Sequence, residues 1–78
     1  MQFLITRYAK DGDFPDSSTD VTAAGAEAFA GLLGVPADHL VGVYPLTAAH
    51  AERVHRLTGV ALDLEQYDYF LEPEADPM

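Results

Sequence analysis

The chain has 78 residues, 49% of them apolar, and sets 13 acids against 4 bases for a formal net charge of −9. That length and composition describe one globular domain and exclude a disordered chain, and with no cysteine the small core is held without disulfides or thiolate metal sites. The charge disfavours nucleic acid and anionic membrane surfaces, whose phosphates would be repelled, and suits fast, salt-sensitive capture of a cationic surface.

Residues Gln2 to Ala9 alternate as a strand, with Phe3, Ile5 and Arg7 on one face and Leu4, Thr6 and Tyr8 on the other. Apolar side chains on both faces predict cover on both sides along part of its length. The stretch Lys10 to Thr19, punctuated by Gly12 and Pro15, reads as a polar loop. A helix is expected from Val21 to Leu33, capped by Asp20 or Thr22, with Val21, Ala24, Ala28, Phe29, Leu32 and Leu33 at three- and four-residue spacing. Gly34 supplies a left-handed C-terminal cap and Pro36 forbids continuation.

Leu40 to Leu46 reads as a second strand, with Gly42 as a candidate bulge and Pro45 restricting its end to an edge or turn. Thr47 is an N-cap for a helix over Ala48 to Leu57, whose buried stripe is Ala51, Val54 and either Leu57 or Thr58. Glu52 and Arg56 form an i,i+4 pair on it, and Gly59 ends it. The last strand is expected over Val60 to Glu72. Its apolar phase slips from Leu62 and Leu64 to Tyr67, Tyr69 and Leu71, which demands a bulge or turn at Glu65-Gln66. The tail from Pro73 to Met78, acidic and interrupted by proline, is expected to fray. The β-α-β-α-β order predicts a single α+β domain with a three- or four-stranded, mostly antiparallel sheet and helices on one face.

Catalytic signatures are missing. His50 and His55 are five apart, about 140° around a helix, so they share no face and do not form the metalloprotease spacing. His39 reads as a solvated loop residue. Ser17 and Ser18 read as turn donors, no Gly-x-Ser-x-Gly elbow exists, and Gly31, Gly34 and Gly42 form no phosphate loop. Asp63, Glu65 and Asp68 are carboxylates on a domain expected to offer no cleft. The expectation is a non-enzymatic protein with no metal or cofactor. The residues Met1 to Arg7 lack the basic start and long apolar run of a cleavable signal, and no apolar stretch approaches the ~18–20 residues of a membrane span, so a cytoplasmic protein is expected.

The segment Leu62 to Glu74 carries acids at nearly every second position, three aromatics, and no lysine or arginine. Alternation puts Tyr67 and Tyr69 on one face, where core packing and interface are equally well supported, and Asp68, Phe70 and Glu72 on the other. Tyrosine beside acids suits an Arg- or Lys-rich partner. The run Leu33-Gly34-Val35-Pro36, followed by Leu62-Asp63-Leu64 and then Tyr69-Phe70 among acids, resembles the cloacin-type colicin immunity proteins over about half the chain. That resemblance implies an antiparallel sheet with little helix. It also implies a cytoplasmic inhibitor that binds the basic nuclease domain of a bacteriocin through Asp63, Glu65, Asp68, Tyr69, Phe70 and Glu72. Tyr67, on the same strand, joins this set by composition. Two alternatives stay open: a separate family of small bacterial domains ending in a Tyr-Asp-Tyr-Phe-Leu-Glu strand, and a domain that self-associates as a homodimer through a strand edge, its acidity serving solubility.

Overall fold

Residues Gln2–Ala9 form strand β1, and two long partners run antiparallel on its sides: β2 (Pro15–Asp20) and β4 (Tyr67–Glu74). A three-residue strand, β3 (Tyr44–Leu46), pairs with the far side of β4, which gives the order β2-β1-β4-β3 with every neighbour antiparallel. Helices α1 (Ala26–Leu33) and α2 (Ala48–Thr58) pack on one face. The structure is a computed structural model and describes residues 2–40 and 42–74. The α+β architecture expected from the sequence is present, in its four-stranded form.

The core lies between that face and the helices. Phe3 and Ile5 of β1, Leu46 of β3 and Tyr69 and Leu71 of β4 meet Phe29, Ala30 and Leu32 of α1 and Val54 of α2. The Phe3 and Phe29 rings stand 5.0 Å apart. Phe29, Leu40, Leu71 and Val54 are fully buried, each contributing about 1.5–3 kcal/mol of transfer free energy.

Local chemistry sets the element ends. Asp20 Oδ1 accepts the Thr22 N–H at 2.9 Å and its hydroxyl at 2.6 Å, while Thr22 Oγ1 accepts the Phe3 N–H at 3.0 Å. These bonds hold the Asp20 carboxyl below its ordinary pKa, the Thr22 hydroxyl contributing most. Gly34 (φ 71°) and Gly59 (φ 79°) end the helices in the left-handed conformation that glycine adopts freely. Thr47 caps α2 in a capping box whose reciprocal partner is His50: its Nδ1 accepts the Thr47 N–H at 3.0 Å. Val54 is buried, Thr58 is half-buried, and Leu57 faces solvent, so Thr58 completes the stripe.

Several boundaries differ from the sequence reading. The stretch expected as a polar loop, Lys10 to Thr19, contains all of β2 but its last residue, Asp20, and every residue of β2 is exposed. With no apolar side chain it had no periodicity to betray it; the free edge of β1 recruits it through backbone bonds. The expected first helix is split: Thr22–Ala24 form a 3-10 turn, and Gly25, at φ 89°, breaks it from α1. Of the expected strand Leu40 to Leu46 only the last three residues pair, and Val41 lies outside the described residues.

The last strand starts at Tyr67, not Val60. The predicted phase slip is a turn, in which the Asp63 carbonyl accepts the N–H groups of Gln66 (3.2 Å) and Tyr67 (3.0 Å). β4 also runs through Pro73 and Glu74, two residues of the tail expected to fray, opposite Phe3 and Gln2; residues 75–78 lie outside the described residues. On the other side Phe3 donates its N–H to Thr22 Oγ1, and its carbonyl accepts the Val21 N–H. The Phe3–Pro73 pair is therefore a non-hydrogen-bonded one, and the missing proline N–H interrupts no ladder bond. No helix among the described residues is long and apolar enough to cross a membrane.

Candidate functional site

Alternation along β1 and β4 sends every second residue away from the helices. In register, Leu4 stands opposite Glu72, Thr6 opposite Phe70 and Tyr8 opposite Asp68; Pro45 of β3 continues the Thr6–Phe70 row. The apolar character of Leu4 and Tyr8 predicted a second covering layer, but the helices pack only against the opposite face. These side chains shield one another instead. Thr6 is only 6% exposed, and the Tyr8 and Phe70 rings meet edge to face at 5.5 Å and 87°.

A hollow of about 350 Å³ opens on this face, where a domain of this size was expected to offer none. Tyr8, Ala9, Lys10 and Gly12 form one side, from the end of β1 into its turn. Val43, Asp68, Phe70 and Glu72 form the other. Val43 is 60% exposed there, and Phe14 in the β1–β2 connection is 82% exposed. Lys10 Nζ lies 3.0 Å from Asp68 Oδ1 at the rim, a half-exposed pair of the kind worth about 0–1 kcal/mol. Glu72 differs: its Oε2 is buried and has no hydrogen-bond partner among the described residues. A buried acceptor left unpaired is costly.

The seven contact positions expected from the sequence therefore separate. Asp68, Phe70 and Glu72 share the open face, as alternation required. Tyr69, 5% exposed, is a core residue whose hydroxyl oxygen accepts the Asp63 N–H at 3.2 Å; its ring is not presented outward. Tyr67 is half-buried on the helix-side face under the Arg7 guanidinium, whose carbon is 4.2 Å from the ring centroid. Arg7 is also paired with Asp16, which pushes its pKa still higher. Asp63 and Glu65 are exposed in the connection before β4, so Leu62-Asp63-Leu64 is not the strand that the immunity-protein resemblance implied. The hollow adds Tyr8, Ala9, Lys10, Gly12 and Val43, which the sequence reading left out of the contact set. Only Tyr8 carried a signal, its place on β1 beside Leu4 and Thr6; the others join through the turn and the β4–β3 pairing.

Among the described residues no three His, Asp or Glu side chains converge as metal ligands. The family model that matches the chain spans residues 2–72, from the first residue of β1 to Glu72, and so includes every residue of the hollow. The chain belongs to the family described as domain of unknown function (DUF7683). No curated protein and no solved structure matches it significantly.

Proposed function

We propose that this DUF7683 domain is a cytoplasmic, non-enzymatic binding protein that docks the open face of its sheet on a basic protein and thereby inhibits it, in the manner of an immunity protein acting on a toxin nuclease domain. The observation that carries this reading is the composition of a face that no helix among the described residues covers: Asp68 and Glu72 flank Phe70 and Tyr8 beside an open hollow. Aromatic anchors ringed by like charge suit a cationic partner, and the net charge of −9 would speed its encounter. The resemblance of Leu33-Gly34-Val35-Pro36 and Tyr69-Phe70 to immunity-protein motifs supports the inhibitory role.

The test is capture from a lysate of the source organism at low and high salt, with wild type against a triple variant, Asp68→Asn/Phe70→Ser/Glu72→Gln. A second variant, Asp38→Asn/Glu52→Gln, removes the same charge far from the face. The reading requires a basic protein retained by wild type and by the remote variant, released by salt, lost by the triple variant, and inhibited stoichiometrically by wild type in its own activity assay. Equal loss in the two variants would reduce the effect to bulk charge and end the proposal.

A second reading, self-association through a strand edge, is favoured by the fully exposed edge strand β2. Sedimentation decides it: a dimer that survives at low salt, where two chains of charge −9 repel most, would carry it.

A further inference from the structure

We infer that the hollow between the end of β1 and the Val43–Glu72 side of the sheet is a receptor for one guanidinium group, an arginine side chain presented by the basic partner. The inference rests on the proposed binding role of this face and names the group it recognises. The hollow, about 350 Å³, lies at the small end of ligand sites and fits a side chain better than a folded element. Tyr8 and Phe70 provide aromatic surface, which attracts cations and stacks on planar ones. Glu72 provides a carboxylate whose Oε2 accepts no hydrogen bond among the described residues. Its terminal torsion is broad and two-fold, so either oxygen can be turned to a donor at little cost. Arginine is donor-only, always charged, and forked to meet a carboxylate with two parallel bonds. An ammonium offers neither the plane nor the fork.

The chain already holds one guanidinium in such surroundings. On the opposite face Arg7 lies over the Tyr67 ring at 4.2 Å and is paired with the Asp16 carboxylate. The hollow offers the same two components, a ring and a carboxylate, with the cation still to come. Among the described residues Lys10 is the one base lining it, and its ammonium is paired with Asp68 at the rim.

The experiment is a titration of the isotopically labelled full chain with Nα-acetyl-arginine methylamide, followed by amide and aromatic NMR shifts. The lysine and citrulline counterparts run in parallel; citrulline keeps the planar head without the charge. The expected result is saturable shifts confined to Tyr8, Val43, Phe70 and Glu72, with affinity about five- to tenfold above lysine and no saturation with citrulline. Glu72→Gln should abolish the arginine response, and Lys10→Gln, which frees Asp68, should strengthen it. Equal binding of lysine or of citrulline, or shifts scattered over the surface, would overturn the assignment. So would an arginine response that survives Glu72→Gln. Any of these would leave the face itself to be judged by the salt-dependent capture, which reads Asp68 and Phe70 as well and fails only if the whole surface is idle.

Discussion

Replacing Glu72 by methionine should make the free protein more stable. Glu72 Oε2 is buried without a hydrogen-bond partner among the described residues, and a buried polar group in that state costs about 1–3 kcal/mol. Its neighbours on the face are Leu4 across the strand, Phe70 two residues back and Val43 beside the hollow, so a thioether finds apolar contact where the carboxylate finds no donor. Glutamate and methionine lose similar rotamer freedom on ordering, so that term nearly cancels. The expected gain is about 1 kcal/mol, or about 4–8 °C in Tm for a domain of this size. Urea unfolding at neutral pH, with the slope checked for constancy, measures it. Repeating the measurement in 1 M salt separates two origins. Relief of repulsion among the acids of β4 would fade as the screening length falls to about 3 Å, whereas relief of the unpaired acceptor would persist. A loss of stability on Glu72→Met would refute the reasoning, because it would mean that the carboxylate is satisfied in the folded protein.

Three further outcomes follow from the packing. Tyr69→Phe deletes the acceptor of the Asp63 N–H and should cost about 1 kcal/mol, with faster hydrogen exchange at Asp63 as the local readout. Phe29→Ala removes a fully buried ring that packs on Phe3; a cost of about 3–5 kcal/mol is a large share of the roughly 5–15 kcal/mol typical of a folded domain and should lower the urea midpoint steeply or abolish the cooperative transition. Asp20 has a folded-state pKa below its unfolded value because Thr22 donates to it. Its contribution is therefore complete above the ordinary carboxylate range and is lost as pH falls through the depressed value. Asp20→Asn should flatten the acid side of the pH–stability curve relative to wild type, and an unchanged acid slope would contradict the assignment.

The elements that announced themselves in the sequence are those that bury a stripe. β1, α1 and α2 carry Phe3 and Ile5, Phe29 and Leu32, and Val54 at the period of their structure, and glycines at 34 and 59 stop the helices where the left-handed cap requires them. β2 was illegible because its six residues bury nothing; its existence follows from the unpaired edge of β1, a tertiary fact. Leu62 and Leu64 misled in the opposite direction. They alternate and are partly buried against the core, yet they lie in a connection. Apolar alternation reports burial on one side, and a connection crossing a core edge can satisfy it without pairing. For the site, the shared direction of Asp68, Phe70 and Glu72 was readable from period two. The hollow was not, because Tyr8 and Val43 reach it only through the order β1-β4-β3, and no local pattern encodes which strands become neighbours.

That order also explains how one strand serves two purposes. β4 is an interior strand, paired with β1 along its length and with β3 over three residues, so its backbone is fixed by ladders and its two faces are independent. The odd residues Tyr69 and Leu71 are committed to the core. The even residues Asp68, Phe70 and Glu72 are free of that duty and keep polar and charged groups that a second packed layer would exclude. A helix laid over this face would have to bury what remains exposed of Glu72 and the half-exposed Lys10–Asp68 pair without adding partners for them, a desolvation cost that opposes the apolar gain from Leu4, Tyr8 and Phe70. A partner that brings its own positive charge avoids that loss. The mixed acidic and aromatic composition of this face is thus what supports the proposed cationic partner.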